Sequence, residues 1–251
     1  SRKAQAGFEP LVSGFVRAPF GDAAAVEKIA QHSQEITAVL VEPIQGEAGI
    51  RVPPPGYLKE LRRICDENGW LLIFDEIQSG LCRTGKWYAY QHEEVLPDIL
   101  TTAKALANGL PIGACAATGD AAEILTPGRH GSTFGGNPLV SRAACTVLDI
   151  MQSEDLAGRA AATGKFLLGE FRSRLENDSR VKEIRGKGLM IGIELGIDAN
   201  HMKMAALEKG LLLNVTQDRV IRLLPPLIID QDQAGPIAVV RPEHGETLAG
   251  D

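Results

Sequence analysis

The chain lacks the patterns that mark several broad protein classes. Its four cysteines, Cys65, Cys82, Cys115 and Cys145, are widely spaced, with no CxxC and no paired histidines. That argues against both a zinc site and a disulfide framework, and predicts buried, reduced thiols and no bound metal. No block of Lys or Arg occurs and the formal net charge is −6, which argues against a nucleic-acid partner. No apolar run reaches the roughly 18 residues of a membrane span, and no signal-peptide h-region is seen, so no membrane partner and a cytoplasmic location are expected. Internal repeats and low-complexity segments are missing too. Gly80 to Lys86 has the glycine and lysine spacing of a P-loop, but Trp87 stands where the metal-binding hydroxyl is required. Gly186 to Gly188 is no dinucleotide fingerprint either.

The ends lack order. Ser1 is not an initiator methionine, residues 1–22 read as loop, and 236–251 have no periodicity. The expectation is a cut piece of a longer protein whose last 16 or so residues form an atypical, disordered tail.

What is present is enough apolar residue, 44%, for a sizeable core. An N-capped helix is predicted from Asp22 to Gln34 and an apolar strand from Thr37 to Glu42. A Gly/Pro loop follows over 43–55, then a helix from Gly56 to Asn68 stopped by Gly69. Strands are predicted at Trp70–Phe74, Ile99–Thr102 and Gly113–Thr118, and a helix from Pro138 to Met151. Strands alternating with helices and carrying uninterrupted apolar runs predict an α/β layer with a mostly parallel sheet. After residue 150 the character changes. A polar helix over Asp155–Glu176 leads to Val181–Ile184 and the alternating Gly188–Leu195, a helix to Gly210, and short strands at Leu211–Val215 and Arg219–Leu223. The division is therefore a larger domain over 1–150 and a smaller α+β domain over 151–235.

Ligands in such sheets gather at the carboxyl ends of strands, where Glu42, Asp75 and Lys104 fall. Lys104 has small and apolar neighbours, Ala103, Ala105 and Ala107. Its ammonium is expected to lose hydration there, which favours the neutral amine of Schiff-base chemistry; the alternative is a lysine snorkelling at a strand end. Asp75 ends the most apolar strand, so it needs a partner: a cationic heterocycle, a helix N-terminus, or an arginine such as Arg83. Gly128 to Pro138 combines glycines, Ser132 and Thr133 ahead of a helix, a pattern for an anion site or for a turn. Arg222 sits among apolar neighbours and calls for a carboxylate, for which Glu42 and Glu47 are available if they are not merely loop charges.

Six stretches in order, Val41–Ile50, Leu71–Gly85, Pro97–Ala114, His130–Leu139, Arg185–Leu195 and Val220–Ile229, resemble the class III (subgroup II) aminotransferases of pyridoxal-phosphate fold type I. The nearest branch is the one that acts on acetylornithine. The resemblance implies a partial large domain plus the smaller carboxy-terminal domain, lacking about 150 preceding residues, roughly a domain's length. It implies pyridoxal 5′-phosphate bound as a Schiff base on Lys104, Asp75 on the pyridinium nitrogen, and Gln78 on the phenolic oxygen, with Glu76 and Ile77 in the same cofactor-binding run. Thr133 is implied for the phosphate, from the neighbouring subunit of a homodimer, with Ser132 approaching the substrate. Arg222 would clamp the α-carboxylate, Glu47 would switch between amino donor and 2-oxoglutarate, and Glu42 would support them. The implied reaction moves an amino group from N-acetylornithine to 2-oxoglutarate in arginine biosynthesis. Succinylornithine, ornithine or 4-aminobutyrate are the alternative donors, and an inactive, merely dimerising fragment is the alternative outside enzymology.

Overall fold

The computed structural model describes residues 5–237. Two four-stranded sheets organise them. The first has the order β1 (Ala38–Val41), β2 (Leu71–Asp75), β3 (Ile99–Thr102), β4 (Ala114–Ala117). β1, β2 and β3 run parallel and β4 runs antiparallel to β3. The predicted mostly parallel sheet is therefore found, with an antiparallel edge that apolar runs alone do not reveal.

The crossover helices form where the sequence provides stops and starts. Helix α1 (Ala23–His32) begins at Asp22, whose Oδ1 accepts from the Ala25 N–H at 2.9 Å. Helix α2 (Tyr57–Asn68) ends at Gly69, held in the left-handed region at φ 66° with its N–H returned to the last turn. Leu58, Leu61, Ile64 and Cys65 of α2 recur at helical spacing and bury against Leu72 and Phe74 of β2, Trp70 and Val95. This packing fixes the inner face of the sheet and leaves the ends of β1, β2 and β3 side by side.

Helix α3 (Pro138–Ser153), capped by Asn137, and the long α4 (Leu156–Leu175), capped by Asp155, lead into the second sheet. Its order is β5 (Val181–Lys187), β6 (Met190–Leu195), β8 (Val220–Leu223), β7 (Asn214–Thr216), all antiparallel. Leu167 and Phe171 of α4 bury against Leu189, Ile191 and Ile193. Helix α5 (Met202–Glu208) connects β6 to β7, and α6 (Gln231–Ile237) follows β8. Asp230 caps α6, accepting from Gln233 N–H at 2.8 Å. The disordered tail expected over 236–251 lies, from residue 238 on, outside the described residues.

Three expectations are corrected. The strand predicted at Leu211–Val215 pairs only over Asn214–Thr216, because Leu211–Leu213 have no ladder partner and Leu212 stays exposed. β5 is longer than predicted and runs on through Lys187, since Arg185, Gly186 and Lys187 continue the ladder with β6. Of the four free thiols only Cys65 and Cys82 are buried, and burial pushes both up to about 11. Cys115 lies on the exposed edge strand β4 and Cys145 on the outward side of α3. Among the described residues no helix is long and apolar enough to cross a membrane, and no group of His, Cys, Asp or Glu is arranged to hold a metal ion.

Candidate active site

Asp75 closes β2 and pairs in register with Thr101 of β3, whose Oγ1 donates to Asp75 Oδ1 at 3.4 Å. The Ile77 N–H donates to the same oxygen at 3.1 Å, and the Glu76 N–H donates to the Thr101 carbonyl at 3.0 Å. Glu76 and Ile77 thus orient Asp75 through their backbone. Neither an N-cap nor a pairing with Arg83 accounts for Asp75. Arg83 instead donates to the Leu189 and Pro225 carbonyls, and burial with no carboxylate beside it lowers it to about 10.

Lys104 follows β3 on the 3-10 turn Lys104–Ala107, with φ 45°. A left-handed backbone at a lysine costs on the order of 1 kcal/mol, a departure that recurs at working sites. Its side chain is exposed among the described residues, contrary to the expected loss of hydration. The small neighbours leave room beside it and do not take it out of water. The charges of Lys104 and Asp75 are both felt at Glu42: burial raises the Glu42 carboxyl most, the Gly46 N–H opposes the rise, the Asp75 charge adds to it and Lys104 opposes it. Glu42 Oε2 accepts that Gly46 N–H at 3.0 Å.

The second half of the site comes from the other sheet. Arg222 lies on β8 with its side chain 12% exposed, and its Nη1 donates to Glu47 Oε1 at 2.5 Å. That bond holds the Glu47 carboxyl below its ordinary range, with Lys104 acting in the same direction. Gln78 joins the pair, its Nε2 donating to Glu47 at 3.3 Å and its Oε1 accepting from Arg222 at 3.4 Å. The amide implied for a cofactor oxygen is here engaged by the ion pair. Gly46 makes room for it, because a Cβ there would fall 2.2 Å from Gln78 Oε1. Arg222 Nε is buried without a hydrogen-bond partner among the described residues. A buried donor left so is costly, and a bound carboxylate would satisfy it.

Ser132 and Thr133 are not brought into this cluster. They lie exposed on the loop before α3, where Ser132 Oγ accepts from the Gly135 N–H at 3.1 Å. No bond among the described residues joins them to Asp75, Lys104 or Arg222.

The class-III aminotransferase profile matches residues 1–238. The chain belongs to the class-III aminotransferases. It is 53% identical over 234 residues to an acetylornithine aminotransferase of Nitrosomonas europaea, covering 93% of this chain and 60% of that protein. The fold is similar to an ornithine aminotransferase from Toxoplasma gondii, at TM-score 0.91 and 40% identity, over 95% of this chain and 57% of that one. An acetylornithine aminotransferase from Elizabethkingia anophelis gives TM-score 0.85 and 39% identity, over 90% of this chain and 61% of that one. The chain thus spans about 60% of the length of the curated relatives it matches. The architecture is that of fold type I, and the family's cofactor is pyridoxal 5′-phosphate. The donor set fits that group: an amine and a carboxylate stand at the ends of the neighbouring strands β3 and β2, and Arg222 carries a buried donor with no partner among the described residues.

Sequence reading missed Glu76's other task. Its side chain is buried, accepting from Ser79 Oγ at 2.6 Å and from the Tyr90 N–H at 2.8 Å, and burial raises its carboxyl above the usual range. A buried acid with a raised native value binds more protons when folded, so its contribution is largest at low pH. It is lost as pH rises from 4.5 through the raised value. Glu76→Gln keeps one acceptor oxygen for the Tyr90 N–H and can donate from its amide to the Ser79 hydroxyl, and is expected to flatten the fall of melting temperature as pH rises above 4.5. Glu76→Ala leaves buried donors unpaired and is expected to cost about 2 kcal/mol in urea unfolding. Equal pH slopes in wild type and Glu76→Gln would refute the assignment.

Proposed function

We propose that this chain carries the catalytic portion of an N-acetylornithine:2-oxoglutarate aminotransferase of arginine biosynthesis. The observation that carries the reading is the Arg222–Glu47 pair, with an unpartnered guanidinium donor among the described residues and with Glu47 within the field of Lys104. When bound, pyridoxal phosphate supplies an electron sink for the pair left when the substrate's C–H bond breaks. Lys104 Nζ would hold the cofactor, and its free amine would carry the proton. Asp75, its carboxylate steadied by Thr101 and Ile77, would pair with the positive ring nitrogen of that group.

Arg222 clamps the substrate carboxylate, a task that suits a planar guanidinium. Glu47 neutralises Arg222 while an amino donor with a distal amine is bound, and yields it to the dicarboxylate acceptor. Because its carboxyl lies below the ordinary value, Glu47 stays charged throughout the neutral range, so this exchange is driven by ligand and not by pH. The exposed Ser132–Thr133 loop serves the phosphate and substrate across a homodimer. The name of the N. europaea relative favours acetylornithine over the ornithine of the T. gondii neighbour.

The test is a glutamate-release assay on the chain with pyridoxal phosphate, 2-oxoglutarate and four donors in parallel. Acetylornithine is expected to give the highest kcat/KM. A higher value for ornithine, succinylornithine or 4-aminobutyrate would move the assignment to that donor, and no turnover with any would show the chain insufficient alone.

A further inference from the structure

The loop that carries Glu47 closes on itself. Gln45 and Arg51 exchange backbone hydrogen bonds at 3.0 and 2.9 Å, and the Gly49 and Ile50 N–H groups both donate to the Gly46 carbonyl. Ile50 is fully buried with φ 51°, and Gly49 has φ 95°. A Cβ on Gly49 would stand 2.9 Å from Val220 Cγ2, so the loop lies against β8 two residues from Arg222. This arrangement turns the Gly49 and Ile50 carbonyls toward the second sheet, away from any partner in the loop.

Arg185 of β5 meets them. It is buried, its Nε donates to the Ile50 carbonyl at 2.8 Å, and its Nη2 donates to the Gly49 carbonyl at 2.7 Å. Its Nη1 is held by Glu194 at 2.6 Å and by Glu183. Two carboxylates thus fix a guanidinium whose other edge grips the loop. On the far flank Gln217 Nε2 donates to the Glu47 carbonyl at 3.2 Å. Only a rigid fork can serve the carbonyls and the carboxylates at once; an ammonium at this place must give up part of the set.

We infer that Arg185 is the positioning residue of the Glu47–Arg222 pair: by gripping the Gly49 and Ile50 carbonyls it holds Glu47 on Arg222 and sets how readily Arg222 takes a carboxylate. This rests on the carboxylate-binding role proposed above for Arg222.

The test has two arms, both on the 251-residue chain. In hydrogen exchange, Arg185→Lys is expected to speed exchange over 45–51 by about tenfold while α2 is unchanged, because charge-assisted bonds to the loop are lost. Should that variant fail to fold, Arg185→Gln/Glu194→Gln removes the buried charge with one partner and is read the same way. In calorimetry with glutarate as the probe, Glu47→Gln is expected to bind roughly fivefold more tightly than wild type, Arg185→Lys to follow it, and the double variant to add nothing further. Unchanged exchange over 45–51, or gains that multiply in the double variant, would overturn the inference. Failure of Glu47→Gln itself to alter glutarate binding counts against the function proposed for Arg222, and the exchange arm still decides whether Arg185 positions the loop.

Discussion

Lys104→Ala is expected to abolish covalent retention of pyridoxal phosphate and to lower transamination by roughly 10³-fold, within the range a positioned general base contributes. The residue combines two features that together separate chemistry from support: an amine at the end of β3 beside the Asp75 strand end, and a left-handed backbone at φ 45°. Alanine keeps the Cβ and the same backbone strain, so the fold gains and loses little, and a fall in activity cannot be ascribed to unfolding. Lys104→Arg is the sharper companion. It preserves charge and length but offers no neutral amine, so it should fail as completely as alanine. The measurement is the visible absorption of the purified chain with cofactor, followed by borohydride trapping and peptide mapping. A trapped adduct spread over other lysines, and unchanged by either substitution, would remove Lys104 from the mechanism.

The strand ends were legible in the sequence because a buried parallel strand is an uninterrupted apolar run, and a polar residue that terminates one is conspicuous. Asp75 after Leu71–Phe74 and Lys104 after Ile99–Thr102 stood out for that reason. Caps were equally local: Asp22 and Gly69 act within four residues of themselves. What stayed hidden were bonds across the chain. Arg185 reaches Gly49 across 136 positions and no periodicity records it; Arg222 reaches Glu47 across 175, a pairing the sequence offered only as one of two carboxylates. The antiparallel course of β4 was hidden because apolar character reports burial but not direction. The exposure of Lys104 was misjudged for a related reason: small neighbours reveal that space exists beside a residue, not what fills it. Leu40, 61% exposed on β1, makes the same point for the sheet, whose second face the described residues leave open.

The other large expected effect is structural and concerns the join between the two sheets. Gly164, in the middle of α4, lies so close to the turn between β5 and β6 that a Cβ would fall 2.1 Å from the Gly188 carbonyl oxygen. Gly188 in turn has φ 52°, and its own Cβ would stand 2.4 Å from the Thr84 carbonyl carbon. Leu189 N–H donates to the Arg83 carbonyl at 2.9 Å in the same layer. Helix, hairpin turn and the 79–88 loop therefore meet backbone to backbone, and backbone cannot swing aside as a side chain can. This gives the Gly-Lys-Gly and P-loop-like runs a packing role in place of nucleotide binding. Gly164→Ala is expected to cost about 3 kcal/mol or more, despite alanine's better helix propensity, because it must push the turn off α4. Gly169→Ala, in the same helix with nothing within 4 Å of the added carbon, is expected to stabilise by about 0.5–1 kcal/mol. Urea midpoints of the two variants should move in opposite directions. Equal and favourable shifts would mean that α4 can retreat from the turn, and that the two sheets are not joined through these glycines.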